Sequence, residues 1–172
     1  MATMVYFLSL INEIPQAIYV MALAVLGVCV ILAFGLKGLK KSSHYFLFLL
    51  LLEYITLVIC STIIFRVENT NRGFELTPFW SYERPELMHE NLMNVLMFVP
   101  IGLLLGCCFS KWSWWRILSA GCLFSVFIEF AQFLFNRGFC EVDDIIHNTL
   151  GCGIGYGFSY LCAYSYSTLA KR

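Results

Sequence analysis

Glu129-Phe-Ala-Gln-Phe-Leu-Phe-Asn-Arg-Gly-Phe-Cys-Glu-Val-Asp-Asp-Ile-Ile-His-Asn-Thr-Leu-Gly151 joins two strongly apolar segments through a polar corner. On its first side, Ser125, Glu129 and Gln132 fall at i, i+4 and i+7, one stripe of a helix. On its second side, Asp144, Asn148, Gly151 and Gly155 form another stripe, with His147 offset toward an adjacent face. Glu129 lies several residues inside the apolar run, roughly 10 Å deep at about 1.5 Å per residue. A carboxylate at that depth must be paired, hydrogen-bonded, hydrated or protonated. Polar groups converging from separate spans therefore point to one shared buried site.

Working outward, the whole chain reads as membrane. It is 60% hydrophobic and 13% charged, with a mean hydropathy of +0.77, far from the composition of a soluble domain. A span needs roughly 20 mainly apolar residues, and segments 14–36, 44–65, 92–110, 114–136 and 145–169 each qualify. The expected fold is all-α: a polytopic helical bundle of about five transmembrane helices. Residues 1–43 form a first span with a basic loop, and residues 44–172 a membrane domain with an outer loop at 66–91. The first segment reads as a retained span, since its basic cluster follows it instead of preceding it.

Charge sets the orientation through the excess of Lys and Arg in cytoplasmic loops. Lys37, Lys40, Lys41, Lys111, Arg116, Lys171 and Arg172 gather at one set of ends. Glu13, Glu68, Glu75, Glu83, Glu86, Glu90, Glu141, Asp143 and Asp144 gather at the other, where Arg66, Arg72, Arg84 and Arg137 are the positive residues. The N-terminus is thus expected outside and the C-terminus in the cytoplasm. Net charge is +0, and without a basic patch nucleic acid is not an expected partner. The eight cysteines make no metal or disulfide pattern and read as small apolar residues.

The aromatic loop segment Arg72-Gly-Phe-Glu-Leu-Thr-Pro-Phe-Trp-Ser-Tyr82 reads either as an interfacial surface loop or as a lid over the polar site. Trp112, Trp114 and Trp115 suit a cytoplasmic headgroup belt. In Asn94-Val-Leu-Met-Phe-Val-Pro-Ile-Gly102, Pro100 frees a backbone carbonyl and either shapes a cavity or assists packing. The alternating glycines from Gly151 to Gly157 suit close helix approach. Glu53, in the middle of the second span, is expected to find a structural partner that spacing alone does not name.

These residues together resemble the VanZ-like family. The resemblance rests on Leu76-Thr-Pro-Phe79 after Arg72, on Asn94 to Gly102, on Ser125 with Glu129 and Gln132, on Arg137, and on Val142-Asp-Asp-Ile-Ile-His-Asn-Thr-Leu-Gly151 running on to Gly155 and Tyr156. It covers about residues 50–165. Glu141 and His147 depart from the family pattern, which commonly has Asp and an apolar residue there. The resemblance implies a multi-pass protein of a bacterial cell membrane, from a family named for a component of clusters associated with teicoplanin resistance.

Three functions stand open at this point. The first is a non-catalytic outward-facing pocket of Asn94, Ser125, Glu129, Gln132, Arg137, Asp143, Asp144 and Asn148, with Glu53, Arg72 and His147 as secondary candidates. It would bind membrane lipids, a lipid-linked wall precursor or a glycopeptide, with Arg137 suited to phosphate or carboxylate. The second is an intramembrane enzyme with Glu129 as general base and Asp143, Asp144 and His147 moving protons. Asp-Asp-x-x-His is no specific metal signature, so no metal or cofactor is assigned. The third is a small transporter, against which a polar cluster confined to one side argues. The binding reading is the expectation carried forward, leaning away from enzyme activity.

Overall fold

A computed structural model describes residues 42–69, 71 and 73–169. The first expected span, 14–36, and Arg72 lie outside the described residues. The described chain is helical: α1 Ser42–Ile59, α2 Met88–Cys108, α3 Trp114–Leu134 and α4 Val142–Leu169. Three helical stretches, Phe46–Ile64, Pro85–Cys108 and Trp114–Leu134, are long and apolar enough to cross a bilayer. The fourth helix has the length but a more polar composition, because His147, Asn148 and alternating glycines occupy its first half. One departure from an all-α reading is a two-residue parallel pair, β1 Phe74–Glu75 with β2 Cys140–Glu141. No hydrophobic run announces strands so short.

Helix α1 ends in a π-helical turn, Cys60–Ile64, closed by the Phe65 amide on the Cys60 carbonyl at 2.8 Å. The hydroxyls of Ser61 and Thr62 both donate to the Val58 carbonyl. Local polar side chains thus support a turn with a shifted hydrogen-bond ladder, as at other π-bulges.

Helices α2 and α4 run parallel and touch backbone to backbone. A Cβ on Gly102 would lie 1.9 Å from the Cys152 carbonyl oxygen, one on Gly151 2.0 Å from that of Val95, and one on Gly155 1.9 Å from that of Val99. The close approach comes from both sides, Gly102 and Gly106 on α2 facing Gly151 and Gly155 on α4. Gly157 meets nothing within 4 Å, so only part of the glycine run acts in packing. In a bilayer, apolar helix faces gain little from meeting each other, and small residues that admit close contact take over. The core around this crossing contains Leu51, Tyr54, Val58, Phe98, Ile101, Ile117, Ile128 and Cys152.

Pro100 is buried inside α2. The Tyr54 hydroxyl donates to the Met97 carbonyl at 2.8 Å, one residue beyond the Leu96 carbonyl that Pro100 leaves without its helical donor, so α1 adds a polar contact to that turn. Tyr54→Phe should lower stability by about 0.5–1.5 kcal/mol, the net value of one such bond. A lower thermal midpoint of the purified protein in detergent checks this.

Candidate functional site

The polar residues form two groups on two sides of the first turns of α4. The first, toward the outer loop and α2, centres on Asp143. Its carboxylate accepts the Phe79 amide, the Ser81 amide at 3.0 Å and the Ser81 hydroxyl. Asn91 of α2 adds a bond from Nδ2 to the Ser81 hydroxyl oxygen at 2.9 Å. Phe79 adopts φ 64°, a left-handed conformation that costs a non-glycine residue about 1–2 kcal/mol. Bonds to one carboxylate from both sides of that residue offset the cost. Burial works against the charge of Asp143, but the Ser81 hydroxyl and the Ser81 and Phe79 amides outweigh it and hold the carboxyl below its usual value.

His147 lies one turn further along α4. Its Nδ1 is 2.6 Å from the Asp143 carbonyl oxygen and its Nε2 is 2.9 Å from the Tyr82 hydroxyl. A carbonyl only accepts, so Nδ1 carries a proton, and in the neutral ring Nε2 accepts from Tyr82. Together Asp143, Asn91 and His147 fasten loop residues 79–82 over the top of the helices, which is the arrangement of a lid.

The second group is the seam between α3 and α4. Glu129, only 2% exposed, accepts the Glu141 amide on Oε2 at 3.1 Å. The β1–β2 pairing positions that amide through its register Glu75 to Glu141. One turn deeper, Asn148 donates from Nδ2 to the Ser125 hydroxyl at 2.9 Å. Gln132 donates to the Thr62 carbonyl in the π-turn at 3.2 Å. Asn148 is 1% exposed, and its Oδ1 has no hydrogen-bond partner among the described residues.

Arg66 is the guanidinium whose field reaches Glu129, Glu141 and Asp144. Among the described residues it makes no ion pair within 4.0 Å, and the ion pair formed there is Arg137 to Glu68 at 3.8 Å. Burial, followed by the neighbouring Asp144 carboxylate, pushes Glu141 up to about 7.

Ser125, Glu129, Gln132, Asp143, Asp144, His147 and Asn148 are thus brought to one end of α3 and α4. Arg137 lies at the rim, donating to the Arg66 carbonyl and pairing with Glu68, so it ties the loop instead of facing the seam. Asn94 is half-buried and makes no hydrogen bond to the cluster; its neighbour Asn91, one turn earlier on α2, joins the network. Glu53 is exposed on α1 and has no hydrogen bond or ion pair among the described residues. Its expected partner is absent there because Tyr54, not Glu53, is the polar residue that α1 turns inward.

Sequence reasoning did not single out Ser81, Tyr82, Asn91, Arg66 and Thr62 as site residues. Ser81 and Tyr82 sat in view within the aromatic loop, and Asn91 had the helical spacing to Asn94. Nothing in spacing marked the Thr62 carbonyl.

The geometry defines a helical protein with bilayer-length apolar helices, a buried polar seam and an outer loop fastened beside it. The chain belongs to the VanZ/LLP1 family, whose model matches residues 45–163. It is similar to Protein VanZ of Enterococcus faecium, 33% identical over 91 residues, covering 51% of this chain and 55% of that protein. The chain therefore spans about half the length of this curated relative. No solved structure matches.

Proposed function

We propose that this protein is a multi-pass bacterial envelope protein whose polar seam opens outward and binds an envelope lipid or a wall-related ligand, thereby lowering susceptibility to teicoplanin-type glycopeptides. Five spans, an outer N-terminus and a cytoplasmic C-terminus belong to the same reading, which the charge asymmetry supports. The observation that carries it is Asn148: an amide oxygen 1% exposed at the residue level and unpartnered, beneath two carboxylates and beside a fastened loop. A buried polar atom without a partner costs about 1–3 kcal/mol, and a bound ligand would recover that loss. Kinship with Protein VanZ supports the envelope role.

Expression of wild type, Glu129→Gln and Asp144→Asn in a susceptible host tests the proposal. Wild type should raise the teicoplanin concentration needed for inhibition severalfold and reduce drug bound at the cell surface, with vancomycin measured alongside. Both substitutions should remove most of the effect at equal membrane abundance. Equal susceptibility in all strains and in the empty host would overturn it.

A further inference from the structure

The seam has an excess of acceptors. Asp144 makes no hydrogen bond to the described residues, and Glu129 uses one oxygen for the Glu141 amide. The Glu141 side chain likewise has no hydrogen-bond partner there. The Asn148 oxygen is orphaned while its nitrogen is spent on Ser125. Asn148 lies on the Asp144 stripe of α4 and Ser125 on the Glu129 stripe of α3, each one turn deeper. The free amide oxygen therefore sits in the same seam, below the two carboxylates.

Arg66, the cation whose field reaches this group, is not in ion-pair contact with any of it. Two carboxyl groups, Glu129 and Asp144, and an amide oxygen in one seam, with Glu141 beside them and no cation in contact among the described residues, favour a ligand that is positive and rich in N–H donors. Among the described residues no three His, Cys, Asp or Glu side chains are set to hold one metal ion, so the arrangement is not a metal cage. A quaternary ammonium has charge but no N–H, and would leave the Asn148 oxygen unsatisfied.

Resting on the pocket reading above, we infer that the α3–α4 seam binds a primary ammonium group through Glu129, Asp144 and the Asn148 carbonyl oxygen. Such a group can arrive on a lipid headgroup or on a soluble amine. Its three N–H donors match acceptors that the protein leaves without donors. Glu141, beside these acceptors, is held at about 7 by burial and by Asp144, Glu90 and Asp143 against the opposing Arg66, which adds a pH dependence: below that value Glu141 is neutral and attracts the ligand less, above it charged and attracts it more.

The full chain in phosphatidylglycerol nanodiscs, doped with phosphatidylethanolamine or with phosphatidylcholine, provides the test, read as lipid retained by native mass spectrometry. Retention of the ethanolamine lipid should exceed that of the choline lipid about tenfold, the worth of one charged hydrogen bond. The preference should grow from pH 6 to pH 8 and disappear in Asp144→Asn. Free ethanolamine that displaces the lipid supports the inference with a soluble amine as an alternative source; lipid retained against it supports the inference with the headgroup as the source. Equal retention of both lipids, still lost in Glu129→Gln, would overturn the ammonium inference and leave the pocket standing. Retention that no seam substitution changes would overturn both. Protein recovered as a monodisperse peak and melting as wild type certifies that each variant is folded.

Discussion

Gly155→Ala should destabilise the protein by about 3 kcal/mol or more, at or above the upper end of ordinary overpacking. The added carbon would meet the Val99 carbonyl oxygen at 1.9 Å and the Leu103 amide at 2.7 Å. Those atoms are backbone of α2 and cannot rotate away, so the helices must part. Gly102→Ala and Gly151→Ala should behave alike, because each also strikes a carbonyl. Gly106→Ala should be milder: its nearest obstacle is the Ser159 hydroxyl, the end of a side chain that can turn. Gly157→Ala supplies the opposite sign, since it meets nothing and gains up to about 1 kcal/mol of helix propensity. Thermal denaturation in detergent, followed by size-exclusion profile, ranks the five variants. Equal losses at Gly155 and Gly157 would mean that α2 and α4 do not pack through this crossing.

That crossing shows what could be read before the structure. Spacing placed Asp144, Asn148, Gly151 and Gly155 on one face, and the structure puts that face against α2 and α3. Spacing could not say which glycines matter, because Gly153 and Gly157 share the composition of the run but point elsewhere. The helical character of the segments was legible because apolar length is a local property. The polar seam was legible in Ser125, Glu129, Gln132, Asp143, Asp144, His147 and Asn148, since burying such groups is costly wherever they pack. Their partners were not legible. Ser81 and Phe79 reach Asp143 across more than 60 residues, through a loop conformation with φ 64° at Phe79 that no periodicity encodes. Glu129 is bonded by a backbone amide in a two-residue strand pairing, which leaves no side-chain signature at all. Glu53 is exposed on α1, and spacing could not say that the inward position in that turn belongs to Tyr54.

Asp143→Asn should release the lid. The substitution removes the charge that gathers two amides and a hydroxyl, and charge-assisted bonds of this kind contribute about 1.5–3 kcal/mol each. Losing about 3 kcal/mol of local closing energy raises amide hydrogen exchange at Phe79 and Ser81 about 100-fold. Tyr82→Phe, which removes one bond to His147, should raise it about tenfold or less. The pH response has two opposite arms. Asp143 sits below its usual value, so its contribution is full above the unfolded value of about 3.9 and fades as pH falls through the lower folded one. Glu141 sits at about 7, above its unfolded value of about 4.3. Its contribution is full below that value and is lost as pH rises through about 7. Strong acid should therefore loosen residues 79–82 first, while mild alkali should loosen the Phe74–Glu75 and Cys140–Glu141 pairing. Exchange mapped at pH 3, 5 and 8, corrected for the intrinsic rate, separates the two ends of the lid. Unchanged exchange at Phe79 and Ser81 in Asp143→Asn would show that the aromatic contacts alone hold it down.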